Sequence, residues 1–463
     1  MIWLTLCPLG KQIGVLILRL IRLRPLACFL VLGALFGTSR MHSQTLEAGV
    51  ARVDITPPNG MALQGYPDSG RRATGVRDPL YARVLLLRVG AQRLALVDLD
   101  LVAPLEPAYL AQLREAVRQD ASYLLLAAIH THSGPALIPT LNPATRDWES
   151  SAVGKIADAV HEAASHARPA RLGVGYGVAF LGHNRLLHNR DGSVSWFEKN
   201  WTGVSTSPVD PTVAVLRIDD TSGDPVAVLV NYACHPVIYG PDSLLYSADF
   251  PGVMTAVVEK AIGGKALSFF LQGGDGDINP LYAVTPLAEG AVELSQRTGT
   301  ELGQVAVRVA LQIHTVADSA PSLQFAEDDL TFGPRWDAKQ WLAADPQNSA
   351  TIAAKTKATY ELPVTTVLIN KQIAILGMPG EPFVDLQRQW RGRCPVHDCF
   401  FLGYANGYYG YFPTIEAATW GGYGAAHPST WIEVGAGERM LDQGLVRVYE
   451  MLGRIKPAPE DLQ

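Results

Sequence analysis

Acidic residues are missing from the first 43 positions, where Lys11, Arg19, Arg22, Arg24 and Arg40 stand without an Asp or Glu. The apolar run that follows most of them, Leu26–Phe36, is too short to span a bilayer comfortably. Gly37, Thr38 and Ser39 come next. A basic stretch, an apolar stretch and a small-residue zone in that order read as a secretory signal, with an uncleaved signal anchor as the alternative. Residues 1–43 are therefore expected to direct export, to the periplasm, the medium or an anchored state. Basic clusters are absent from the rest. With the five leader cations set aside, 33 of the 38 basic residues remain against 44 acidic ones, a net charge of −11. A chain of that charge without an Arg/aromatic stripe has no electrostatic means of holding nucleic acid.

Cysteine is scarce: five residues, of which Cys7 and Cys28 fall in the leader. Cys394 and Cys399 bracket the loop CPVHDC, which suits a local disulfide in an oxidising compartment. A Cys/His metal knuckle using His397 is the rival, but one such motif lacks the ligands of a closed zinc site. Cys234 is left single and is expected to be buried. No Cys quartet or dense carboxylate cluster suggests a structural zinc, calcium or di-iron site. Internal repeats and Ser- or Gly-rich linkers are also lacking, so residues 45–455 are expected to form one large domain.

What is present is an alternation of strand-like and helix-like stretches, which predicts an α/β or α+β fold. Helices are expected over Pro107–Gln119, Ser151–Ala167, Pro251–Ala261, Leu287–His314 and Glu438–Leu452. Strands are expected over Ala82–Val89, Leu94–Asp98, Tyr123–Ile129, Val226–Tyr232, Ala266–Leu271, Val367–Ile375 and Phe400–Gly403. Several are unbroken apolar runs, which implies a sheet covered on both faces.

Five of these strands run into polar loops rich in Gly and Pro: HTHSGP after Ile129, CHP after Ala233, GGDGDINP after Gln272, PGEP after Met378 and GYYGY after Asn406. Rigid sheets aim chemistry at such loops. His130 and His132 are two apart, so extended backbone would place both on one face. His235 precedes Pro236, which favours extended backbone. Glu381 sits in a rigid Pro-Gly-Glu-Pro turn. His, His and Glu form a ligand set typical of catalytic zinc with an open position.

From Ala48–Pro57 almost to the C-terminus, the chain resembles the catalytic domain of the neutral ceramidases. The blocks that carry the resemblance include Asp78–Arg83, HTHSGP, Gly182–Arg185, Asn231–Pro236, Ser247–Gly252, Gly276–Pro280, Pro379–Pro382 and Asn406–Ala426. The resemblance implies a zinc amidase that splits an N-acyl lipid, with a small-molecule or lipid substrate and possible peripheral membrane contact. It implies His130, His235, Glu381 and Tyr411 as zinc ligands, and His132, Arg185 and Tyr423 as groups that hold or polarise the reacting carbonyl. Two departures stand out. Asn279 occupies the position of the family's reactive serine, and an amide cannot serve as that nucleophile, so water on the metal would have to attack. The family's C-terminal β-sandwich is not expected, since no block of this sequence corresponds to it. The rival readings are a non-catalytic relative that binds a lipid or glycan in the same cleft, and a zinc hydrolase or esterase of different specificity.

Overall fold

The computed structural model describes residues 44–66, 70–137, 145–344 and 356–456. The leader with Cys7 and Cys28 lies outside them. Among the described residues no helix is long and apolar enough to cross a membrane.

The chain enters as strand β1 (Leu46–Asp54), continues through the hairpin β2 (Tyr81–Val89) and β3 (Gln92–Leu99), and passes through helix α1 (Pro107–Ala116) to β4 (Tyr123–Ala128). Helix α2 (Thr145–Ser165) leads to β5 (Arg168–Val178), β6 (Thr212–Asp220) and β7 (Pro225–Tyr232). Helix α3 (Asp249–Ile262) crosses to β8 (Leu267–Gln272). These eight strands form one mixed sheet in the order β8-β7-β6-β5-β1-β2-β3-β4. The two helix-linked pairs, β3/β4 and β7/β8, are parallel and the other pairs antiparallel, as hairpin and crossover connections require.

After α4 (Ala291–Gln312), a second sheet forms from β9 (Leu323–Phe332), β10 (Tyr360–Ile369), β11 (Ile373–Gly377) and β12 (Asp398–Leu402), in that order. Helices α5 (Val384–Arg393) and α6 (Ala436–Met451) cover its far side. The two sheets face each other. Leu85, Leu87, Leu216, Leu229 and Phe269 from the first share one buried cluster with Val367, Ile375 and Phe400 from the second. Helices α1 and α2 cover one half of the first sheet's outer face, and α3 and α4 the other half. Both faces are buried as the apolar runs demanded, but the inner cover is another sheet.

The expected strand over Val367–Ile375 is two strands. Asn370 and Lys371 adopt left-handed φ of 52° and 55° and turn β10 into β11. Strands β1, β5, β6 and β9 fall outside the expected strands. Gly173, Gly175 and Gly177 lower the strand propensity of β5, yet their missing side chains admit α4: a Cβ on Gly177 would lie 2.8 Å from Val305 Cγ1 and Val309 Cγ2. Glu327, Asp328 and Asp329 mask β9. Cys394 and Cys399, expected as a local disulfide, stand as thiols, and Cys399 Sγ donates to Val396 O. Cys234 is fully buried.

Strands β4 and β8 occupy opposite edges of the first sheet, yet their ends approach each other. Gln272 Nε2 donates to Ile129 O at 3.0 Å and to Cys234 O at 2.9 Å, and Asp98 on β3 accepts from the Phe270 N–H of β8. The sheet therefore curls, and loops from both edges reach one centre.

Candidate metal centre

His130 follows β4 in a left-handed conformation, φ 71°. The period-two argument is thus not what unites it with His132; the twist in the backbone does. His130 Nδ1 donates to Val102 O at 2.6 Å, which leaves Nε2 with its lone pair. His235, after β7, is anchored the same way, with Nδ1 2.7 Å from Asp275 O. Its Nε2 lies 3.2 Å from Glu381 Oε2, and His130 Nε2 lies 3.6 Å from the same oxygen. Glu381 follows β11, and its other oxygen accepts from the Tyr408 hydroxyl at 2.5 Å.

Burial pushes His235 down to about 3 and also lowers His130, so both rings are neutral at neutral pH. Burial would raise Glu381, but His130, His235 and the Tyr408 hydroxyl outweigh it and hold the carboxyl at about 2. Two imidazole lone pairs and a carboxylate oxygen facing one point repel one another unless a cation lies between them. With both Nδ1–H groups spent on backbone carbonyls, this donor set fits a divalent metal.

His132 borders the same centre. Its Nε2 is 3.2 Å from His130 Nε2, and His130, His132 and His235 all bring a ring nitrogen within 4.8 Å of the others. His132 Nδ1 has no hydrogen-bond partner among the described residues. Burial and the neighbouring imidazoles keep its pKa well below the usual value. The ring fits only because Gly65, at φ 109°, has no side chain: a Cβ there would lie 2.3 Å from His132 Cγ.

Tyr411 pairs in register with Glu381 across a short parallel bridge. Its hydroxyl accepts from Arg185 Nη2 at 3.0 Å. Arg185 is buried; Nη2 also donates to Gly276 O at 2.8 Å and Nη1 to Asn279 Oδ1 at 3.1 Å. Its Nε takes no partner among the described residues. The guanidinium lies 5.0 to 5.6 Å from the rings of Trp196, Tyr423 and Tyr411. Tyr423 is 38% exposed, and its ring sits 5.4 Å from that of Tyr411. Asn279 is buried and engaged at both ends, since Nδ2 donates to Glu198 O at 3.1 Å.

His130, His132, His235 and Glu381 are thus joined at one point, and Tyr411, Arg185, Asn279 and Tyr423 form a chain leading from it to the surface. Sequence reasoning passed over Asp275, Tyr404, Tyr408 and Trp196. Three of these stand inside the loops that follow β8 and β12, so the loops were legible while the individual contacts were not.

Residues 46–292 match the family model described as neutral/alkaline non-lysosomal ceramidase, N-terminal. The chain is 23% identical over 281 residues to a neutral ceramidase of Pseudomonas aeruginosa, covering 56% of this chain and 40% of that protein. It is 26% identical over 218 residues to neutral ceramidase A of Dictyostelium discoideum, covering 43% of this chain and 30% of that one. The matched stretches span less than half of these relatives. Its fold resembles the crystal structure of the Pseudomonas aeruginosa neutral ceramidase, with a TM-score of 0.68 at 18% identity over 90% of this chain and 77% of that one. A ceramidase complexed with C2 gives a TM-score of 0.69 at 17% identity, with the same coverage.

Proposed function

The chain belongs to the neutral/alkaline non-lysosomal ceramidase family, and on that footing we propose that it is an exported, zinc-dependent hydrolase of an N-acyl amide bond in a lipid. One observation carries the reading: the Nε2 atoms of His130 and His235 and Oε2 of Glu381 face one point, with no proton to place between them. These atoms would hold the metal, and Tyr411, whose backbone pairs with that of Glu381, would add its hydroxyl as a fourth ligand. Zinc there supplies a Lewis acid and lowers the pKa of water.

The chain's own residues supply the rest. Arg185 is a buried cation whose Nε is unspent, suited to donate to an oxygen that gains charge as the carbonyl is attacked. His132 is neutral and has an Nδ1 without a partner among the described residues, placed to hydrogen-bond substrate or water beside the centre. Tyr423 lines the approach beside Trp196, where an apolar chain can lie against the rings. Asn279 presents no nucleophile and braces Arg185 instead, so the attacking group is water and no acyl group is carried on this side chain.

The test is a hydrolysis screen of purified protein, before and after chelation and after zinc reloading. It covers ceramides, N-acyl amino acids, acyl esters and simple amides. Zinc-dependent release of fatty acid from an N-acyl lipid is the expected result. Ester cleavage alone would make the protein an esterase. Tight lipid binding with no hydrolysis would make it a binding relative. An acyl group trapped on the chain would show that water is not the first nucleophile.

A further inference from the structure

One loop touches His130 and Glu381 directly and reaches His235 through Asp275. Leaving β12, it brings Tyr404 onto His130, with ring centroids 4.2 Å apart and planes within 18°. The Tyr404 hydroxyl donates to Asp275 Oδ1 at 2.8 Å. Asp275 Oδ2 lies 3.2 Å from His235 Nδ1, and no hydrogen bond among the described residues engages that oxygen. Four residues further along the loop, Tyr408 donates to Glu381.

This posture is imposed on the loop. Tyr404 and Asn406 hold left-handed φ of 52° and 54°, a conformation that residues with a side chain rarely adopt. Asn406 fastens the segment to β4, the strand that delivers His130: Oδ1 accepts from the Leu126 N–H, and Nδ2 donates to Leu124 O and to Glu327. Surroundings that over-determine a strained backbone point to a constraint beyond packing.

Resting on the metal reading above, we propose that Tyr404 and Asp275 are a positioning pair for the metal. Tyr404 fixes the rotation of the Asp275 carboxyl. The Nδ1–H of His235 goes to the backbone carbonyls of Asp275 and Ile278, and the carboxyl oxygen 3.2 Å from Nδ1 favours the proton on that atom, so Nε2 keeps its lone pair directed at the point shared with Glu381. Outer groups of this kind set the tautomer and basicity of a ligating imidazole, and their loss typically weakens metal binding ~10–100-fold. In D275N the amide cannot reproduce the arrangement. One orientation sets an N–H donor against Nδ1–H, and the other forces the tyrosine hydroxyl to become an acceptor.

The experiment measures zinc affinity by competition with a chromophoric chelator, and the cobalt(II) absorption spectrum, for the wild type, D275N and Y404F. D275N is expected to bind zinc ~10–100-fold more weakly, and Y404F less tightly than the wild type by a smaller factor. Both should shift the cobalt bands, which a purely structural role would leave alone. Y404F keeps the ring on His130 and loses one oxygen, so it decides the matter if D275N fails to fold. Wild-type affinity and spectrum in the variants would overturn the positioning pair and leave the metal reading standing. A wild type that takes up no zinc would overturn the metal reading itself.

Discussion

Asn279 stands where a nucleophilic serine is expected by resemblance, and its carboxamide spans Arg185 and the backbone at Glu198. N279A should release Arg185 and lower kcat by ~10²-fold, the scale of losing one well-placed donor; steady-state kinetics with an N-acyl lipid check this, and an unchanged kcat would remove the bracing role. H235A should reduce bound zinc from about one per chain to a trace, read by metal analysis, because one lost imidazole breaks a set that needs every donor. Glu149 makes a different point. It is fully buried, one oxygen accepts from the Glu106 N–H, and the other has no partner among the described residues. Burial raises its pKa from 4.5 to about 7. The folded state therefore binds this proton more tightly than the unfolded chain does. The associated stability is present below pH 4.5 and is lost as pH rises through 7. E149Q should be the more stable protein at pH 8 by about 1–3 kcal/mol and show no such advantage at pH 4, by urea unfolding.

At the scale of elements, α3 and α4 are joined by small residues. A Cβ on Gly299 would lie 2.5 Å from Phe250 O and from Val253 Cβ, and one on Gly303 would lie 2.8 Å from Val257 Cβ. G299A should therefore destabilise the fold by about 1–3 kcal/mol through overpacking, seen as a lower denaturant midpoint. The strain would reach the site, because Asp249 at the start of α3 accepts from the Ile238 and Tyr239 N–H groups just beyond His235. A variant with wild-type stability would show that the helices slide apart without cost. The same glycines explain uneven legibility. Apolar runs such as Val84–Leu87 announced their strands, whereas β5 hid behind the glycines that let α4 approach it, and β9 behind its acids.

On the scale of the whole molecule, metal and stability are linked. Zinc at 100 times its Kd should raise unfolding free energy by about 2.7 kcal/mol if only the folded state binds it; melting curves with and without chelator measure this, and coincident curves would count against a metal centre. That linkage exists because the ligands are distant in sequence and meet only when the first sheet curls. Sequence alone determined the class of the fold through unbroken apolar runs, and it marked the polar loops after β4, β7, β8, β11 and β12 through Gly, Pro and histidine placed at strand ends. Those signals are local and survive in a linear reading. Tertiary structure alone decided that β4 and β8, at opposite edges, would be tied by Gln272. It also decided that a second sheet would fill the inner face, and that Asp275 and Tyr404 would meet behind His235. Each depends on the curl of the sheet and on side chains reaching across strands, and nothing in residue spacing encodes either.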